Sequence, residues 1–173
     1  MKKIEKILFP SDLASSSFSA LEYALTFAKL YNAAVYVLHV LDNSPYEMIS
    51  RKSSEMDEMF YRVEEKARTE MNRCIRESLV SNTKIVQVMR CGNVEDEIIK
   101  FGEEENVDLI VMATFSKSGV LDLRSDSIAS QIVNKTNIPV LSINKKELVG
   151  NQPYINVTEK EFQLNTFGKF LFN

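Results

Sequence analysis

Short, nearly continuous apolar runs alternate along the chain with longer segments whose apolar positions recur every three or four residues. Ile4 to Phe9 is the first run, closed by Pro10 and followed by Ser11 and Asp12; it reads as a buried strand entering a loop. Ser15 to Ser17 offer helix N-caps, and Phe18, Leu21, Ala24, Leu25 and Ala28 then mark one helical face. Ala33 to Leu41 is a second strand, apolar nearly throughout. Past a loop containing Pro45, a long helix carries Met56, Met59, Phe60, Val63, Ala67, Met71, Ile75 and Leu79 on one side. Glu58–Arg62 and Glu64–Arg68 stand four residues apart on the other, each pair supporting the helix by about 0.2–0.5 kcal/mol.

Lys84 to Met89 forms a third strand, stopped by Gly92. Asn93 caps a short helix with Val94, Ile98 and Phe101 facing inward. Val107 to Ala113 is the fourth strand. A polar loop, Thr114 to Gly119, leads to a helix carrying Leu123, Ile128, Ala129, Ile132 and Val133. Ile138 to Ile143 is the fifth strand, and Pro139 places its beginning at a strand start or a sheet edge, because proline cannot donate to a ladder.

Strands alternating with amphipathic helices predict an α/β fold: a five-stranded parallel sheet with helices on both faces, joined by right-handed crossovers. This domain takes in residues 1–146, leaving 147–173 as an aromatic-rich C-terminal extension. In such sheets ligands bind beyond the carboxyl ends of the strands, where strand order reverses. Pro10-Ser11-Asp12, the end of strand two at Val40, and the segment after Met112 are therefore the candidate site.

Composition narrows the chemistry. Twenty-one basic and 24 acidic residues give a net charge of −3, which leaves no electrostatic footprint for nucleic acid. No apolar stretch is long enough to span a membrane, no leader pattern opens the chain, and a cytoplasmic location is expected. The single histidine, His39, lies within an apolar strand and has no neighbouring nucleophile, so it reads as a partly buried structural residue and no catalytic triad is expected. One histidine and two cysteines, Cys74 and Cys91, show no metal-ligand spacing, so no metal site is expected. The strand–helix alternation also suits a response regulator, but Val88-Met89-Arg90-Cys91 has no acceptor aspartate at the end of strand three. Only five glycines are present in 173 residues, where average usage of roughly 7% would give about twelve. A fold that cradles phosphate on bare backbone depends on glycine.

Met112 to Ser127 reads MATFSKSGVLDLRSDS, and IPVLSI follows the next helix. Together with the opening KILFPSD and the LHVLD of strand two, this resembles the universal stress protein family over about residues 4 to 144. The resemblance implies a Rossmann-like domain whose nucleotide-binding members carry G-x-x-G, nine residues, then glycine followed by serine or threonine. The three glycine positions fall here on Ala113, Ser116 and Asp126, with Ser127 keeping the hydroxyl. All three glycines are replaced, and Gly119 lies between their positions.

The replacements differ in weight. Ala113 adds one methyl group, and Ser116 adds a Cβ where positive φ favours glycine. Asp126 places a carboxylate where the resemblance implies phosphates, at the start of a helix. There it gains about 0.3–1 kcal/mol from the helix dipole while repelling an incoming anion. Lys117 and Arg124 either offset part of that repulsion or are ordinary surface charges, and Val40 and Pro10 remain available to an adenine. Asp12 is either a ligand contact or the residue that turns the loop. The residues expected at the degenerate site are thus Pro10, Ser11, Asp12, Val40, Met112, Ala113, Ser116, Lys117, Asp126 and Ser127.

The expected function is a nonenzymatic universal stress protein acting in stress response through protein–protein interaction. No general base stands at the site, and no catalytic residue or cofactor is assigned. The alternative is a regulatory switch binding ATP or AMP with Mg²⁺ and hydrolysing slowly at most. The resemblance further implies a homodimer paired through the last strand, at Ile138, Val140, Leu141 and Ile143. Tyr154, Phe162, Phe167, Phe170 and Phe172 make the extension rich in aromatics. Such a tail is expected to pack on its own domain, on a second copy or on another protein, or to place an aromatic in the crevice.

Overall fold

A computed structural model of the chain describes residues 3–42, 54–78, 83–114, 127–144 and 170–171. The elements run β1 Lys6–Pro10, α1 Ser15–Tyr31, β2 Ala34–Asp42, α2 Ser54–Ser78, β3 Ile85–Gly92, α3 Val94–Glu104, β4 Leu109–Thr114, α4 Ile128–Lys135, β5 Val140–Asn144 and β6 Phe170–Leu171. The strands lie in the order β3-β2-β1-β4-β5-β6. β1 to β5 are parallel, as the alternation predicts. β6, from the extension, is a sixth and antiparallel strand on the far side of β5, and nothing in the apolar pattern announces it.

Apolar side chains of the strands leave the sheet on both sides, which is why their sequences read as unbroken runs. On one side Ile7, Phe9, Val35, Val37, Val111 and Leu141 meet Ala20, Leu21, Ala24 and Ala28 of α1 and Met71 and Ile75 of α2. On the other, Leu8, Leu38, Val40, Ile110, Met112 and Val140 meet Ile98 and Phe101 of α3 and Ala129 and Ile132 of α4. Phe9 and Phe27 are among the largest fully buried side chains, and each such burial is worth about 1.5–3 kcal/mol.

Two helices start or pack differently from expectation. The N-cap of α1 is Ala14, with no side-chain cap bond, and Ser15 is already helical. Ser17 donates from Oγ to the Ala14 carbonyl at 2.8 Å, so its hydroxyl serves the helix start as a donor. Along α2 the apolar face is buried at Ala67, Met71 and Ile75, but Val63 remains 40% exposed. A 25-residue helix extends about 37 Å, while the nine residues of β2 extend about 30 Å, so α2 outruns the sheet it covers. Ile128, at the first turn of α4, is likewise exposed rather than inward.

The last strand begins after its proline: the Pro139 carbonyl accepts the Ile110 amide at 2.9 Å, and β5 proper starts at Val140. Ile138 sits just ahead of it, against α3, where a Cβ on Gly102 would lie 2.8 Å from the Ile138 Cδ1. Val140, Leu141 and Ile143 are all buried in the domain's own core. Whatever pairing capacity β5 has on its outer side therefore resides in its backbone.

Candidate functional site

Strand order reverses between β1 and β4: β2 and β3 continue to one side, β5 to the other. The crevice beyond that point is where ligands enter folds of this kind. β1 and β4 pair at Ile7↔Leu109 and Leu8↔Ile110, and Pro10 lies opposite Leu38 of β2. Side chains alternate along a strand, so Pro10, Met112 and Val40 share the α3/α4 side of the sheet near the strands' carboxyl ends. Val40 and Met112 are 9% and 6% exposed, the apolar floor of that side. Ala113 faces the opposite way and packs against the α1 layer. The structure thus puts Pro10, Val40 and Met112 on one side of the sheet and Ala113 on the other.

The loop after β1 is tied to itself. Ser11 is buried; its amide donates to the Leu38 carbonyl at 2.9 Å, and its Oγ accepts the Leu13 amide at 3.1 Å. Ser11 Oγ also lies 3.2 Å from Ser17 Oγ. Because the Ser17 proton goes to the Ala14 carbonyl, that contact uses the Ser11 proton, the one donor a serine has. Asp12 accepts the Ala14 amide on Oδ1 at 2.9 Å, a turn that the carboxylate makes with its own backbone. Leu13 between them has φ 61°, a left-handed conformation costing a side-chain-bearing residue about 1–2 kcal/mol. The bonds from Ser11 and Asp12 hold it there.

His39, half-buried on β2, carries this loop from the side. Its Nδ1 lies 2.8 Å from the Ser11 carbonyl oxygen. A carbonyl only accepts, so the proton is on Nδ1 and the ring acts as a structural donor. Sequence spacing marks His39 as partly buried but gives no sign of this partner 28 positions away.

At the other wall, Ser127 is the N-cap of α4, and its side chain accepts the Ser130 amide at 3.1 Å. Ser130 is itself buried. Ser116, Lys117 and Asp126 lie outside the described residues. Cys91 is exposed on β3. Among the described residues no group of three or more His, Cys, Asp or Glu side chains is arranged to hold a metal ion. Nor is any described helix long and apolar enough to cross a membrane.

Relatives with known names fit this geometry. Universal stress protein MJ0531 of Methanocaldococcus jannaschii is 28% identical over 141 residues, covering 82% of each chain. MJ0577 of the same organism is 25% identical over 155 residues, 82% of this chain and 96% of its own. Its solved structure superposes with a TM-score of 0.68 over 83% of this chain and 97% of that one, at 26% identity. A universal stress protein from Archaeoglobus fulgidus, solved in complex with dAMP, shares the fold at 21% identity, with a TM-score of 0.55 over 82% of this chain and 99% of that one. The model of the universal stress protein family matches residues 3–144. With five parallel strands wound in both directions and that match spanning all of them, the chain belongs to the universal stress protein family.

Proposed function

We propose that this family member is nonenzymatic and acts in stress response by binding a protein partner, holding ATP or AMP weakly if it holds them at all. The observation that supports this reading is the bond from Ser130 N to Ser127 Oγ. The hydroxyl that the chain keeps from the family motif serves here as the helix cap, and the residue before it in the sequence is Asp126, a carboxylate where the motif has the glycine that the resemblance puts beside phosphate. Ser11 and Asp12 across the crevice also spend hydrogen-bonding capacity on their own loop. Among the described residues of the mouth no base stands against a nucleophile, and no reaction is assigned.

The second reading is an adenine-nucleotide switch. Pro10, Val40 and Met112 on one side of the sheet suit an apolar ring, and the Archaeoglobus fulgidus relative was solved with dAMP. Titration calorimetry with ATP and with AMP, each with Mg²⁺, separates the two. Heats fitting millimolar or weaker binding support the first reading, and micromolar affinity overturns it. Asp126→Gly tests the stated cause: nucleotide affinity rises by about tenfold or more if carboxylate–phosphate repulsion is what weakens binding.

A further inference from the structure

We propose that α4 has two seats on the sheet. In the second seat the hydroxyls of Ser130 and Ser142 bond to each other, and the Ser127 end of the helix is displaced. Ser142 lies opposite Met112 and two residues beyond Val140, so by alternation it shares the α3/α4 side with both. It is 9% exposed, and its Oγ is buried with no hydrogen-bond partner among the described residues. A hydroxyl left in that state is costly, and native proteins keep few of them. Ser130, in the first turn of α4, is buried as well. Lys135, five residues further on, reaches Glu95 of α3 at 3.1 Å. Five residues turn a helix to a bearing about 140° away, so Ser130 is on the flank of α4 turned from α3. α3 packs on β2 and β3, and β5 lies on the other side of β1 and β4. Away from α3 is therefore toward β5. The two serines belong to one seam between α4 and β5, and in the described seat their hydroxyls do not bond.

The two ends of α4 are held unequally. At the far end Lys135 pairs with Glu95, Thr136 Oγ1 accepts the Ile138 amide, and Ile138 fills the space over Gly102 of α3. Within its eight residues the apolar side chains buried are Ala129 and Ile132, while Ile128 at the start is exposed. Among the described elements its backbone runs nearer to α3 than to any strand. The start of α4 is thus the end that the described contacts hold least. Shifts of about 1–2 Å are ordinary for packed helices, and the pair of hydroxyls bonds once its oxygens stand about 2.7–2.8 Å apart. The second seat gains that bond and relieves Ser142, the described seat keeps its apolar contacts, and the difference sets the balance. Ser127 caps α4 at the wall of the candidate site, so the exchange moves that wall.

This goes beyond the functional reading above and is measured without nucleotide or partner, so the two fail separately. NMR relaxation dispersion on the full 173-residue chain reads exchange on the microsecond-to-millisecond scale of helix shifts. Dispersion is expected at the amides of 127–131 and at Ser142, fading toward Lys135. Ser130→Ala and Ser142→Ala each remove one half of the bond, and each is expected to abolish it. A parent chain with no dispersion at 127–131 overturns the proposal without any variant. Dispersion that survives either alanine overturns it too, because the second seat then does not rest on this pair.

Discussion

The Nδ1 of His39 donates to the carbonyl of Ser11 at 2.8 Å, joining the middle of the sheet to the loop at the mouth of the crevice. The only histidine in the chain is thereby a clamp on backbone.

Removing that clamp is expected to cost stability. His39→Ala loses one hydrogen bond and leaves a part-buried carbonyl unpaired, at about 1–3 kcal/mol. Urea denaturation reads it as a lower midpoint with unchanged slope. A variant as stable as the parent shows that water replaces the imidazole at no cost.

Ser127→Ala removes the cap of α4 and is expected to lower stability by about 0.5–2 kcal/mol. Ser127→Asp keeps an acceptor for the Ser130 amide and restores most of the loss. Thermal denaturation of the pair distinguishes a capping hydroxyl from one held for a ligand, since only capping predicts rescue by aspartate.

Gly92 ends β3 at φ 154°, and a Cβ there would come within 2.9 Å of the Glu97 Cγ. Gly92→Ala is therefore expected to destabilise by about 1–3 kcal/mol, from backbone conformation and crowding together. Adding Glu97→Ala relieves the crowding and recovers only part of it. Full recovery in the double variant means that the φ angle contributes nothing.

At the opposite end of the sheet, Lys6 Nζ donates to the Glu105 carbonyl at 2.6 Å and to its carboxylate at 3.1 Å. The bond to the Glu105 carboxylate, aided by the neighbouring Tyr36, holds the lysine above its ordinary pKa against partial desolvation. A raised folded pKa contributes stability that is fully present below the unfolded value and is lost as pH rises through the folded one. The stability difference between the parent and Lys6→Met is thus expected to be flat from neutral pH to about 9. It shrinks above about pH 10.4, the ordinary lysine value. A difference that grows with alkalinity contradicts the sign.

What was legible in advance has a physical boundary. The strands of a sheet covered on both faces must be apolar on both sides, so β1, β2 and β4 stand out as runs in the sequence. Asn93 is recognisable as a cap because its side chain does the capping, accepting the Asp96 amide at 3.1 Å. Ala14 is not, because the start of α1 is organised by Ser11 and Asp12 upstream. Val63 and Ile128 were expected inside because periodicity reports which face is apolar, not how far the underlying sheet extends.

The candidate site divides the same way. Pro10, Val40 and Met112 were identifiable as strand ends, and the alternation of side chains puts them on one side. The bond from His39 to Ser11 joins residues far apart in sequence, and β6 is two residues long. Neither leaves a local period to read.

The hydrogen that stands for a side chain at Gly102 has a consequence for the outermost parallel strand. Ile138 occupies the space a methyl group on that helix would need, Thr136 beside it is buried and accepts the Ile138 amide at 3.1 Å, and the Pro139 carbonyl binds β4. The strand is moored at its entry, by contacts on its inner side that owe nothing to its outer neighbour. The strand's position is therefore set before its first ladder residue, Val140, is reached.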